Sequence, residues 1–133
     1  MKISYQTGTV PDVQQVIDLY VSAGLNRPVK DIARIQRMYE RSNLIITAWD
    51  EDLLIGVSRA LTDFCYCCYL SDFAVRKEYQ SQGIGKKLID LTKQQSGGDQ
   101  CTLILLSAPG AMEYYPKIGL ENVDNCFLIK RES

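Results

Sequence analysis

Apolar positions along this chain recur with two different periods, and the places where the period changes divide it into elements. "ISYQTG", residues 3–8, alternates briefly and predicts a first strand. Thr9 or Val10 with Pro11 and Asp12 then offers a helix start, Val13, Val16, Ile17, Tyr20 and Val21 follow at helical spacing, and Gly24 is a natural stop. Beyond Pro28, Ile32, Ile35, Met38 and Tyr39 predict a second, shorter helix with Arg34, Arg37 and Glu40 outside. "NLIITAWD" and "LLIGVSRALTD" are apolar, β-branched runs parted by the acidic Asp50 to Asp52, which reads as a hairpin. "FCYCCYLSDFAV" continues as a third consecutive strand.

From Ile84 the period returns to that of a helix, with Leu88, Ile89 and Leu91 inward and Gly97-Gly98 as its end. "CTLILL" is short, continuously apolar and placed after that helix, as a buried parallel strand would be. Pro109 opens another helix, "PGAMEYYPKIG", which Pro116 should kink or end, and "LENVDNCFLIKRE" predicts one more strand or two short ones. The order β-α-α-β-β-β-α-β-α-β describes an α/β (α+β) fold, a mixed sheet with helices on both faces. At 133 residues, without repeats or linkers, the chain has the size of one domain over 1–133, burying roughly two thirds of its unfolded surface.

Fifteen basic against sixteen acidic residues leave no bulk field to recruit nucleic acid or an anionic membrane, so any anion must be bound locally. No apolar run reaches the length of a membrane span, and the opening "MKISYQTGTV" is unlike a signal peptide, so a cytoplasmic location is expected. Histidine is absent altogether. That removes Ser-His-Asp and Cys-His machinery, histidine bases and most zinc, copper and non-haem iron sites. The five cysteines, Cys65, Cys67, Cys68, Cys101 and Cys126, are odd in number and lie in strand-like runs, which predicts buried reduced thiols. Alternation along a strand keeps Cys65, Cys67 and Cys68 from converging on a metal, so no metal is expected.

Where a strand's loop becomes a helix stands Gln80-Ser81-Gln82-Gly83-Ile84-Gly85. The first-turn amides of such a helix lack partners of their own, and glycines there let the backbone turn tightly and a phosphate approach several N–H groups at the positive end of the dipole. Lys86 and Lys87 add positive charge. A Walker loop would need Ser or Thr after Gly85-Lys86, and a dinucleotide fingerprint would need a third glycine. The QxxGxG form instead resembles the helix start of the GNAT acyl-CoA transferases, and "LSDFAVRKEYQSQGIGKKLI" resembles that family's coenzyme motif nearly throughout. "EYYPKIGL", residues 113–120, resembles its second signature, with Leu120 in place of the usual final aromatic, and "LIGVSRALTD" is similar to small bacterial and plastid-type members.

The resemblance implies a sheet that splays between the strands ending near Val75 and Leu106, with the pantothenate arm of acetyl-CoA in the gap. It assigns coenzyme contacts to Phe73, Ala74 and Val75, to Gln80, Ser81, Gln82, Gly83, Ile84, Gly85 and Lys86 around the pyrophosphate, and to Ser107 and Tyr115. The amide of Phe73 would donate to the thioester carbonyl as an oxyanion contact. Tyr115 would protonate the departing sulfur, and Tyr114 would be packing. Asp63 and Asp72 stand about equal as general base, with Glu113 beside them; Asp63 could equally bind the acceptor, and Asp72 faces away from the reaction centre unless a bulge intervenes. The implied activity is N-acetylation of a primary amine, on a small molecule before a protein, in a ternary complex with acetyl-CoA and no metal. The implied partners are the coenzyme and the amine, without nucleic acid or membrane, and a homodimer is a possible assembly. A non-catalytic acyl-CoA-binding module is the alternative, and a phosphate- or nucleotide-binding protein a third reading.

Overall fold

A computed structural model describes residues 2–133. In chain order its elements are β1 (Ile3–Thr7), α1 (Val13–Ala23), α2 (Ile32–Glu40), β2 (Leu44–Asp50), β3 (Leu53–Thr62), β4 (Cys67–Val75), α3 (Ile84–Gln95), β5 (Thr102–Ile104) and the single turn α4 (Tyr114–Lys117). The five strands form one sheet in sequence order. β1 to β4 run antiparallel to their neighbours and β5 lies parallel to β4, because α3 carries the chain back across the sheet. The mixed α+β architecture expected from the alternating periods is the one observed.

Local chemistry sets the ends of the helices. The Asp12 side chain accepts from the Gln14 amide at the start of α1, and Gly24 ends it with φ of 72°. Asp31 caps α2 in the same way through the Arg34 amide. Apolar side chains then fill both faces of the sheet. Leu44, Ile46, Ala60, Cys68 and Leu70 pack under Ile84, Leu88 and Ile89 of α3. Ile45, Leu54, Val57 and Ala74 pack under Val16, Leu19 and Tyr20 of α1 and Ile35 and Tyr39 of α2. Each fully buried aliphatic chain contributes about 1.5–3 kcal/mol.

One irregularity decides which face the end of β4 presents. Arg59 of β3 pairs with Asp72, but the next residue, Ala60, pairs with Leu70, so Ser71 is an extra residue, a β-bulge. Cys68 and Leu70 therefore face α3, while Asp72 turns to the α1/α2 side. There Asp72 is fully buried. Its carboxylate takes Arg59 Nε at 3.0 Å and Arg27 Nε at 2.7 Å, and Tyr20 donates to it at 2.6 Å while lying 2.5 Å from the Tyr39 hydroxyl. Burial pushes the Asp72 pKa up, but its hydrogen bond and charge interaction with Arg59, the Tyr20 hydroxyl and Arg27 outweigh this and hold it below the usual value. The Tyr20 hydroxyl, buried beside that charge, is pushed far up.

Three expectations differ from what is seen, the first being the buried strand over "CTLILL", of which only Thr102–Ile104 is a strand, with Ile104 exposed. The closing strand over "LENVDNCFLIKRE" does not form; residues 121–133 carry no regular structure, and Phe127 and Ile129 are 95% and 101% exposed. The apolar run Cys126 to Ile129 is present in the sequence, but a strand exists only where a neighbour completes its ladder. The predicted fourth helix is likewise cut to a 3₁₀ turn at Pro109–Ala111 and the single turn of α4, in which Pro116 can donate no backbone bond.

Removing Asp72 should be among the most damaging single changes on the α1/α2 face. Asp72→Ala leaves two guanidinium groups without a counter-ion and should lower unfolding stability by about 3–5 kcal/mol, read from urea midpoints. Because the folded-state pKa of Asp72 is depressed, its contribution is present above the unfolded value of about 3.9 and is lost as pH falls through the lower folded value. Stability should therefore drop below about pH 4, and less steeply in Asp72→Asn.

Candidate active site

The parallel ladder between β4 and β5 has three rungs, Cys67–Thr102, Cys68–Leu103 and Tyr69–Ile104. Beyond Tyr69, β4 continues to Val75 while the chain of β5 leaves it, so the sheet opens at this seam. The backbone of β4 shows which residues face the opening. The Arg76 amide donates to the Ile55 carbonyl of β3 at 2.7 Å, and the Ala74 carbonyl is turned toward Gly56. Successive residues of a strand direct their backbone groups to alternate sides, so those of Val75 and Phe73 point into the gap. The Val75 carbonyl takes a bond there from Gln80 Nε2 at 2.9 Å.

At the mouth of this gap α3 begins. Gly83 caps it in a left-handed conformation, φ 83°, with no side chain bonding to the first turn. The first helical bond runs from Lys87 back to Gly83, at 3.1 Å, which leaves the amides of Ile84, Gly85 and Lys86 without a preceding carbonyl. Nothing lies within 4 Å of the position a Gly83 Cβ would take. Gly85 differs. It is buried, and a Cβ there would overlap the Tyr114 hydroxyl and come within 3.0 Å of the Phe73 ring. The two glycines thus serve separate needs, one for dihedral angle and one for space.

Three aromatic rings from two elements meet beside Gly85. Phe73 stacks on Tyr114 with ring centroids 6.4 Å apart and tilts against Tyr115 at 6.1 Å, and the two tyrosines meet edge to face at 5.3 Å. The short α4 is held by the Tyr115 carbonyl, which accepts from the Ile118 and Leu120 amides. Burial, and secondarily the neighbouring Tyr114, pushes the Tyr115 hydroxyl above its usual pKa, so it stays protonated at neutral pH. A strand edge with no neighbouring strand, a cradle of helix amides and a protonated phenol border the opening. They are the parts needed to hold an extended amide-bearing chain with a polyanion at one end and a reacting group at the other.

The family described as "Acetyltransferase (GNAT) domain" matches residues 16–128. The chain belongs to the GNAT acetyltransferases. Among curated proteins it is 27% identical over 97 residues to an uncharacterized N-acetyltransferase, ycf52, of Gracilaria tenuistipitata var. liui, a stretch covering 71% of this chain. The chain spans about half of that relative's length, 53%. Among solved structures it superposes on a probable acetyltransferase from meticillin-resistant Staphylococcus aureus with a TM-score of 0.80 at 20% identity, covering 98% of this chain and 100% of the other. It also superposes on the aminoglycoside N-acetyltransferase AAC(6')-Iy in complex with CoA, with a TM-score of 0.75 at 12% identity, covering 99% and 96%.

Not every residue singled out for this GNAT domain falls at the opening. Phe73, Val75, Gln80, Gly83, Ile84, Gly85 and Tyr115 are brought together, and exposed Ser81, with φ of 66°, and Gln82 lie in the same loop. The Ala74 backbone serves the β3 ladder. Lys86 is paired with Asp90 at 2.8 Å, Lys87 lies over the Tyr5 ring, and the Ser107 hydroxyl bonds to the Ala108 carbonyl. Asp72 is withdrawn as a base, since its carboxylate is buried and bound by two arginines and Tyr20 on the side opposite Phe73.

Asp63 sits at the far end of β4, about 20 Å from Phe73 at the rise of a strand. Its Oδ1 accepts from the amides of Cys65, Tyr66 and Cys67 at 2.8–3.0 Å, which lowers its pKa and ties it to the hairpin. Glu113 is exposed, directly before α4. The thiols divide unexpectedly: Cys68 and Cys101 are buried, whereas Cys65, Cys67 and Cys126 are exposed. Among the described residues no group of three or more His, Cys, Asp or Glu is placed to hold a metal.

The partners of Asp72 were missed by sequence reasoning. The available signal was Arg59, a lone charge inside the apolar run "LLIGVSRALTD", since a buried cation requires a buried anion.

The unlike roles of the two glycines should separate in measurement. Gly85→Ala must displace Tyr114 and Phe73 and should cost about 1–3 kcal/mol by overpacking. Gly83→Ala meets open space and should cost only the left-handed strain of about 1–2 kcal/mol, with Gly83→Asn milder still. Urea unfolding monitored by tyrosine fluorescence distinguishes the set.

Proposed function

We propose that this GNAT domain binds acetyl-CoA and transfers the acetyl group to a primary amine, on a small molecule before a protein, directly within a ternary complex. The observation that carries the reading is the seam between β4 and β5, which exposes the backbone of Phe73 and Val75 and leads to the first turn of α3. Acetyl-CoA supplies an acyl group activated as a thioester. Phe73 and Val75 pair with the amides of the coenzyme arm as an added strand would. The free amides of Ile84, Gly85 and Lys86 take the pyrophosphate at the positive end of the helix. The Phe73 amide donates to the oxygen on which negative charge grows during attack. Tyr115 holds its proton for the departing sulfur, which no histidine in this chain can serve. A cytoplasmic location stays part of the same proposal.

A non-catalytic acyl-CoA-binding module is favoured by one observation, that neither Asp63 nor Asp72 is free to take a proton from the amine. Thiol release from acetyl-CoA across a panel of amines decides between the two readings. Release with at least one amine supports transfer, and release at the solvent rate with all of them supports the binding module.

Two variants test the assignments within the site. Gly83→Val should weaken acetyl-CoA binding strongly, because a β-branched side chain resists φ of 83° and projects where the phosphates approach. Unchanged affinity of the folded variant in calorimetry would remove the pyrophosphate assignment. Tyr115→Phe keeps the ring contacts with Phe73 and Tyr114 and loses only the proton, so kcat should fall about ten- to a thousandfold with acetyl-CoA affinity near normal. Tyr114→Phe is the comparison and should be close to neutral.

A further inference from the structure

β5 closes the sheet on one side, and its outer edge has no neighbouring strand. Its inner edge is fixed by the Thr102 amide, which donates at 2.9 Å to the carbonyl of Tyr66, just ahead of β4. Backbone groups alternate along a strand, so Thr102 and Ile104 serve β4 while Leu103, and Leu105 beyond it, turn their N–H and C=O outward. Such an edge is a template for another strand.

The sheet face beside that edge is apolar and uncovered. Leu61 of β3 pairs with Tyr69 of β4 and Tyr69 with Ile104 of β5, so the three side chains stand in one row, on the face opposite Cys68 and Leu70. Neither α1 nor α2 reaches over them. These three and Leu106 are between 37% and 55% exposed.

A second apolar run is equally free. Cys126-Phe127-Leu128-Ile129 lies in the stretch without regular structure, where Phe127 and Ile129 stand in solvent. Among the described residues no hydrogen bond joins 121–132 to the rest of the chain. The segment also heads away from its own edge, because the Ser133 carbonyl accepts from Arg34, which shares a recess with Leu61 of β3, two strands in from β5. It is an arm clear of its own body.

We propose that the chain forms a two-fold dimer in which residues 126–129 of each copy add as an antiparallel strand to the outer edge of β5 in the other. With Leu103 and Leu105 as the outward-bonding residues, Leu128 and Cys126 face them, which sets Phe127 beside Ile104 and Ile129 beside Thr102. Phe127 and Ile129 then extend the row of Leu61, Tyr69 and Ile104. The antiparallel direction brings Lys130 and Arg131 to the end of β5 where exposed Asp99, in the turn before the strand, and Asp63, beside Cys67, supply negative charge. Arm and edge are carried by the same chain, so one two-fold axis satisfies both copies at once. Two arms and two patches remove on the order of 1,500 Å² from water, within the range of about 1,200–2,000 Å² of a stable interface. The inference does not depend on the acetyl-transfer reading.

Sedimentation equilibrium of the full chain at micromolar concentration should give twice the 15.0 kDa of one copy. Phe127→Asp/Ile129→Asp alters exposed side chains alone, so circular dichroism should stay that of a folded chain while the dimer Kd rises at least about a hundredfold. Ile104→Lys, on the receiving edge, should have the same effect. In a mixture of ¹³C-labelled and unlabelled copies, filtered NOEs should connect the Ile104 methyl groups of one copy with the Phe127 ring of the other.

A monomer at these concentrations would overturn the proposal, and so would a dimer that both variants leave intact. NOEs between Ile104 and Phe127 confined to one copy would overturn it too, since the arm would then fold back on its own edge.

Discussion

A carboxylate with no exposed surface can remain ionised inside a protein only if cations and hydroxyls replace the water it has lost, and Asp72 imposes that requirement on most of the α1/α2 face. Its partners come from every element around it: Tyr20 from α1, Tyr39 behind it from α2, Arg27 from the connection between the two helices, and Arg59 from β3. Arg27 also donates to the Ser71 carbonyl at the bulge, and Arg59 to the Ser71 hydroxyl, so the same two side chains that neutralise the charge brace the irregular backbone beside it. Burial of the ion pair has little net worth in itself. Its value lies in fixing where two helices and a loop sit relative to one strand.

That strand is the one on which the proposed chemistry depends. The bulge at Ser71 shifts the alternation by one residue, so Asp72 and Ala74 engage α1, α2 and β3 while Phe73 and Val75 are left to the seam. The position of the Phe73 amide is thereby set by the buried charge one residue away. A donor held in this way does not have to reorganise when negative charge develops on its acceptor, which is the condition under which such donors contribute most. On the other side of the seam the constraint is steric. Gly85 is small because Phe73 and Tyr114 occupy the space its side chain would need, so α3, β4 and α4 close around one point.

Much of this was readable from residue order alone. The helix periods at Val13–Val21 and from Ile84, the stop at Gly24 and the acidic turn between β2 and β3 are local features with local causes, and they appear where expected. The glycine pair was readable as a helix start, but its two positions could not be told apart, because Gly83 is demanded by its own dihedral angle and Gly85 by rings distant in sequence. The bulge leaves no mark in "YLSDFAV", since any residue can be the extra one and only the partner strand reveals it. The exposure of Cys65 and Cys67 follows from a hairpin cap that Asp63 makes with three amides, and an apolar strand pattern does not disclose it. The arginines of α2 were visible as its polar side, yet a polar side becomes a recess only when Arg59 of β3 stands opposite.

The fate of the two aspartates bears on how an amine could be deprotonated here. A base must be ionised, within hydrogen-bond reach of the substrate and able to accept a proton near neutral pH. Asp72 fails the second and third conditions, because its oxygens are filled and its pKa is held down by Arg59 and Arg27. Asp63 fails them too, being held by three backbone donors at the far end of β4. Glu113 is the carboxylate nearest in sequence to Tyr115, and its exposure gives it water rather than a shaped pocket. A site built in this way suits an acceptor that loses its proton to solvent on arrival.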